Sequence, residues 1–157
     1  MTPQTLSTEF SDENQSPGLA LWRVTNAWQA AQRSALKPLG LTHVQFVLLA
    51  SLTWLRHDKP VTQKELAEHA RIDPMMTSQV VRTLEQMKWV RRDQHPTDGR
   101  ARALCVTTAG ARLANRAVVV VETVDRQFFG ALKDGGAALT RDLNSLLASR
   151  EPEASQE

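Results

Sequence analysis

Along the first third of the chain the apolar positions fall at helical spacing. Leu21, Trp22, Val24, Trp28, Ala31, Ala35 and Leu36 recur mostly at three- and four-residue steps, which predicts an amphipathic helix from Leu19 to about Leu36. Lys37-Pro38-Leu39-Gly40 ends it, because proline disfavours helix in the residue before it and glycine permits a sharp turn. Thr42 then offers an N-cap oxygen ahead of an unusually apolar run, Val44 to Leu55, which reads as a core helix. The segment Arg56 to Pro60 is the loop that leaves it.

The pattern then shortens. A small helix begins at Thr62 or Gln63 and turns Leu66, Ala67 and Ala70 inward, and Arg71-Ile72 is a tight turn. Asp73 before Pro74 is a strong start signal, a capping carboxylate followed by proline at the first helical position, for a helix reaching about Met87. Trp89 to Arg92 reads as a strand, His95-Pro96-Thr97-Asp98-Gly99 as a turn, and Ala103 to Val106 as the returning strand. Thr107 or Thr108 caps a long helix from Ala109 to about Leu132, with Val118, Val121, Val124, Phe128 and Phe129 on or near one side. Asp134-Gly135-Gly136 breaks it, and a last helix from about Leu139 to Leu147 carries Leu143, Leu146 and Leu147. The fold class is therefore mainly α with one small β-hairpin.

Charge sharpens the picture. The net charge of +2 conceals acidic ends, −3 over residues 1–16 and −3 over 151–157, around a body holding all 19 Lys and Arg against 11 acids. A basic body of net +8 favours a polyanionic partner, nucleic acid first. No run of about 18 apolar residues is present, so nothing is expected to span a membrane. No basic-then-apolar N-terminal stretch marks a secretory signal. The single cysteine, Cys105, has no intrachain partner, which points to a reducing cytoplasm, and its alternating strand position suggests packing on the core.

Helix, turn, capped helix and basic hairpin from Val61 to Thr108 form the arrangement that sets one helix in a DNA major groove and braces it on the backbone. The residues at the leading end of that helix are Met75, Met76, Thr77, Ser78, Gln79 and Arg82, and from Met76 onward they are the candidate readers. Gln79 has the geometry to pair with adenine, and Arg82 with guanine or a phosphate. Thr77 and Ser78 taken alone are ordinary helix-surface polarity, and only their position singles them out; methionine at helical spacing more often packs in a core. The hairpin concentrates Arg91, Arg92, Arg100 and Arg102, with Asp98 placed to orient Arg100. Arginine on a thin loop lies along phosphates or enters a narrow minor groove, whereas a charged turn by itself is usually just solvated.

These residues resemble the winged helix-turn-helix of the MarR family of bacterial transcription regulators. The likeness rests on Leu41-Thr42-His43-Val44-Gln45-Phe46, Leu66-Ala67, Thr83-Leu84-Glu85 and Val90-Arg91-Arg92. It rests most on Asp98-Gly99-Arg100-Ala101 running into Val106-Thr107-Thr108-Ala109-Gly110, where Val106 replaces the family's leucine. The resemblance implies a single domain over 17–148, with 17–38 and 109–148 as a helical dimerisation platform and 42–108 as the winged DNA-binding lobe. By their composition residues 1–16 read as a disordered acidic tail and 149–157 as a flexible acidic tail. It also implies a ligand-responsive homodimeric repressor on a pseudo-palindromic operator in double-stranded DNA. A helix with Val118, Val121, Val124 and Phe128 supports the dimer independently, since one small winged domain cannot cover that surface. Family members commonly take phenolic or other aromatic effectors between platform and lobe. By similarity Trp22, His43, Phe46 and Trp54 are pocket candidates, although each alone reads more simply as core.

No catalytic constellation is apparent, and neither cofactor nor metal is called for. His43, His57, His69 and His95 are scattered without carboxylate or cysteine partners at metal spacing, and Gly135-Gly136 follows a helix instead of a strand, unlike a phosphate loop. The chain also lacks tyrosine. The alternative to a DNA-binding regulator is a winged-helix protein-interaction module or anti-regulator. It would carry an acidic or apolar recognition face and a neutral wing, which Arg82, Arg91, Arg92, Arg100 and Arg102 oppose.

Overall fold

The computed structural model describes residues 6–55 and 60–150, so residues 1–5 of the expected N-terminal tail, 56–59 of the loop expected at 56–60 and 151–157 of the tail expected at 149–157 lie outside the described residues. Six α-helices and one hairpin follow in the order α1 (Pro17–Leu36), α2 (His43–Leu55), α3 (Gln63–Ala70), α4 (Pro74–Gln86), β1 (Val90–Gln94), β2 (Arg102–Val106), α5 (Thr108–Phe129) and α6 (Ala137–Ala148). The mainly α fold with a small β-hairpin is as expected. Among the described residues, no single helix is long and apolar enough to cross a membrane.

Local chemistry sets each boundary. Pro17 sits in the first turn of α1 and Ser16 Oγ accepts from the Leu19 N–H at 3.3 Å. Thr42 and Gln45 cap α2 reciprocally, at 3.2 and 2.9 Å. Thr62 and Glu65 form the same capping box at the start of α3. α3 ends at Arg71 and α4 before Lys88, both at positive φ (50° and 60°). At the second of these the Lys88 N–H reaches Glu85 O and the Trp89 N–H reaches Leu84 O, the paired bonds of a Schellman end.

The N-terminal acidic segment departs from the tail expected. Asp12 caps a short 3-10 turn, Glu13–Gln15, by accepting from the Asn14 N–H at 2.7 Å. Glu13 pairs with Arg23 of α1 at 2.8 Å, so these residues fold back on the helix. The Asp12 carboxylate caps this turn, and the Ser16 hydroxyl then caps α1.

The core is centred on α2, whose Leu48, Leu49 and Leu52 are essentially inaccessible and are joined by Leu36, Leu66, Val81, Leu84, Leu104 and Ala117. Each leucine or valine among them contributes about 1.5–3 kcal/mol through removal from water. α2 packs against α1, α3, α4, α5 and β2. The hairpin is antiparallel, pairing Val90 with Val106 and Gln94 with Arg102. The Leu104 N–H also donates to Val61 O at 2.7 Å, tying the segment before α3 to the wing. Cys105 is half-buried between the buried Leu104 and Val106, less enclosed than the core position expected of it.

The junction of wing and α5 is tight. Thr107 Oγ1 donates toward Lys88 O (2.8 Å) and Trp89 O (3.2 Å) and accepts from the Gly110 N–H at 3.0 Å. A Cβ at position 110 would lie on the Trp89 carbonyl. Gly110→Ala therefore requires α5 to move off β1 and is expected to destabilise by about 1–3 kcal/mol. Urea unfolding checks this; an unchanged midpoint would show that the junction yields freely.

Candidate DNA interface and adjoining cavity

The recognition helix α4 is held at its start by Asp73, whose Oδ1 accepts from the Met75 and Met76 N–H groups at 2.9 and 3.1 Å. Val81 and Leu84 anchor its inner face in the core. Its outer face presents Met75, Gln79, Arg82 and Gln86, at steps of four, three and four residues, with Ser78 half-buried beside them. Gln79 and Arg82 are thus both exposed on one face of the helix. Thr77 does not: it is 0% exposed and its hydroxyl donates to Asp73 O at 3.0 Å, so it is corrected from reader to packing residue. Met76, half exposed, turns toward a cavity behind the helix.

The wing sorts its arginines by strand parity. Arg100 and Arg102 are exposed, and Arg91 is exposed while paired with Asp93 at 3.0 Å. Arg92 sits opposite Leu104, on the inward face. Its Nε donates to Glu85 at 2.8 Å and its Nη2 to Gln63 at 3.2 Å, clamping the hairpin to α4 and α3. Arg92 is therefore corrected from DNA contact to brace. Period-two alternation from Val90 already implied this, since Val90 faces the core. Asp98 orders the wing tip through the backbone: it accepts from the Arg100 N–H at 3.0 Å and leaves the Arg100 guanidinium unpaired with it. His95 escaped the sequence reading. Its Nδ1 accepts from the Thr97 and Asp98 N–H groups at 3.3 and 3.1 Å and shapes the loop that carries Arg100.

Behind α4 lies a cavity of about 560 Å³ between α1 (Trp28, Gln29, Arg33), the start of α2 (Thr42, His43, Val44, Val47) and the lobe residues Ala70, Ile72 and Met76. Trp28 and His43 meet edge to face at 5.0 Å. The Trp28 indole N–H donates to Asp125 of α5 at 2.7 Å, and the buried Gln32 amide donates to the same oxygen at 2.8 Å. Burial holds the His43 pKa below its ordinary value near 6.5; Asp125 opposes this and Arg33 adds to it. Of the four pocket candidates only His43 lines this cavity. Phe46 is core, Trp22 is 69% exposed on α1, and Trp54 is 76% exposed in a separate shallow hollow with Ala50, Ser51 and His69. Trp28 and Arg33 are the cavity residues that sequence reading missed. Among the described residues no three His, Cys, Asp or Glu converge as metal ligands.

A capped recognition helix on a buried support helix, followed by a two-stranded basic wing, defines a winged helix-turn-helix protein. The MarR family profile matches residues 41–101. The HTH-type transcriptional regulator YdcH of Bacillus subtilis is 43% identical over 124 residues, spanning 78% of this chain and 84% of YdcH. The HTH-type transcriptional repressor Rv2887 of Mycobacterium tuberculosis is 34% identical over 115 residues, 73% of this chain and 81% of Rv2887. Its crystal structure in complex with salicylic acid superposes with a TM-score of 0.63 at 30% identity, covering 88% of this chain and 98% of that one. CouR of Rhodococcus jostii RHA1, crystallised with p-coumaroyl-CoA, shares the fold with a TM-score of 0.78 at 24% identity over 91% and 99% of the two chains. The chain belongs to the MarR family and is a helix-turn-helix transcription regulator.

Arg92→Ala and Glu85→Ala are each expected to cost about 1–2 kcal/mol, since removal of either leaves a half-buried charge unpaired. The double variant should cost less than the sum, and urea unfolding of the four proteins measures the coupling; strict additivity would remove the clamp. A second expectation concerns His43. Its folded pKa is lowered, so the unfolded chain takes up the proton first as pH falls. Stability from neutral His43 is complete above about pH 6.5 and is lost as pH falls toward the folded value. Thermal midpoints from pH 7.5 to 5 should decline less steeply in His43→Gln.

Proposed function

We propose that the protein acts as a homodimeric repressor that reads a pseudo-palindromic operator and is released by a small aromatic carboxylate. The observation that carries this reading is the cavity itself, because it is walled on one side by α1 of the platform and on the other by Met76 of the recognition helix. A molecule seated there pushes directly on the element that reads DNA. Arg33 supplies a cation for a carboxylate, and Trp28 and His43 supply ring faces and edges for an aromatic body. The volume suits a small ligand. The salicylic acid complex of Rv2887 supports this ligand class.

Gln79 and Arg82 are assigned to base edges, Ser78 to a phosphate or base edge, and Arg91, Arg100 and Arg102 to the backbone or minor groove, with Asp98 and His95 shaping the wing. The exposed apolar residues Leu21, Val24, Val119, Leu143, Leu146 and Leu147 on α1, α5 and α6 are the surface a second copy would cover. Two-fold symmetry would then set the recognition helices about 34 Å apart, one turn of DNA. The cytoplasm is the matching location, and the regulators among its relatives argue for a non-enzymatic role.

The test is footprinting and mobility shift on the DNA upstream of the protein's own coding region. Protection of an inverted repeat, lost on addition of salicylate and retained by Arg33→Ala at the same salicylate concentration, is the expected result. Weak binding to all sequences, erased by salt, would favour the protein-interaction alternative. Arg100→Ala should lower the slope of log affinity against log salt by about one unit. Gln79→Ala should relax base preference more than it weakens non-specific binding. Equal loss of both would exclude Gln79 as a reader.

A further inference from the structure

Met75 is the one apolar residue on the outer stripe of α4, and it is 75% exposed while Gln79, Arg82 and Gln86 continue the stripe with polar groups. It takes no part in the hydrophobic core. Nor does it belong to the cavity that Met76 borders. The turn that carries it is held in place, since Asp73 accepts from its N–H at 2.9 Å and from that of Met76 at 3.1 Å. A large apolar side chain fixed in water at the leading end of a groove-reading helix gains nothing in the free protein. In the major groove the only apolar group that a base pair offers is the thymine C5-methyl.

We infer that Met75 is a specificity-determining residue that packs its side chain on a thymine methyl in each half-site, next to the base pairs read by Gln79 and Arg82. This rests on the DNA-reading function proposed above and deepens it. The axial rise from residue 75 to 79 is about 6 Å, and from 79 to 82 about 4.5 Å, which spaces the three side chains one to two base steps apart. The half-site then contains a thymine, an adenine contacted by Gln79 and a guanine contacted by Arg82, within a few base pairs. An unbranched, polarisable thioether suits such a contact, because it adapts to the groove without a fixed shape.

The test uses a duplex that the wild-type protein enriches from a randomised pool, with each thymine replaced in turn by deoxyuridine, which lacks only the methyl. Wild-type affinity is expected to fall about fourfold at one position per half-site, and roughly 15-fold when both are replaced, the worth of one buried methyl each. Met75→Ala should bind the thymine duplex more weakly and be indifferent to deoxyuridine at those positions, while Met75→Leu restores the sensitivity. An unchanged thermal midpoint for Met75→Ala, expected from its exposure, separates this from misfolding. Two results overturn the assignment: a wild type insensitive to every replacement, or a Met75→Ala variant that loses as much as the wild type. Failure to enrich any duplex would instead overturn the DNA-reading function, and with it this contact.

Discussion

Enclosure of α2 is the constraint on which the remaining structure depends. Leu48 and Leu49 are neighbours in sequence and so project about 100° apart around the helix, yet both are fully buried. A helix buried in two such directions must be wrapped, and α1, α3, α4, α5 and β2 do the wrapping. Platform and lobe therefore share one core instead of meeting at a hinge. Movement of the recognition helix relative to α1 has to be accommodated by repacking around α2, and close-packed interiors do that in discrete steps.

The recognition helix is fastened at three places of different chemistry. Asp73 satisfies two orphan donors at its start, the Schellman bonds close its end, and the Arg92–Glu85 pair joins its last turn to the wing. Charge in this region consequently has two uses. Arg92 gives up its hydrogen-bonding capacity to the fold, while Arg82, Arg100 and Arg102 keep theirs toward solvent. The wing tip follows the same economy: His95 and Asp98 bind backbone N–H groups, and the Arg100 side chain stays exposed.

The cavity behind α4 gathers its residues from three separate stretches of chain. Asp125 never borders it, yet it fixes Trp28 through the indole N–H and raises the proton affinity of His43 against the effect of burial. Gln32 contributes its amide to the same carboxylate and leaves its own carbonyl oxygen buried without a partner. An unpaired buried acceptor costs about 1–3 kcal/mol, and the order it imposes between α1 and α5 is what the protein retains for that cost.

The helices, their caps and the hairpin were legible in the sequence because each depends on neighbours within a few residues. Pro74 after Asp73 and Thr42 at the start of α2 act over single turns. The exposure of Gln79, Arg82 and Arg100 followed from position in those elements. Thr77 did not, since it is of a polar type suited to DNA and only packing showed it buried, while for Arg92 the strand alternation gave the inward face and only packing gave the partners on α3 and α4. The pocket was the least legible part: Trp28 and Arg33 carry no local sign of meeting His43 and Met76, and Trp22 and Trp54 look the same in sequence yet face water. Local backbone preference is written in short spacings. Which of several aromatic or cationic side chains converge is decided by how α1, α2 and α4 close around one another, and that depends on contacts far apart in the chain.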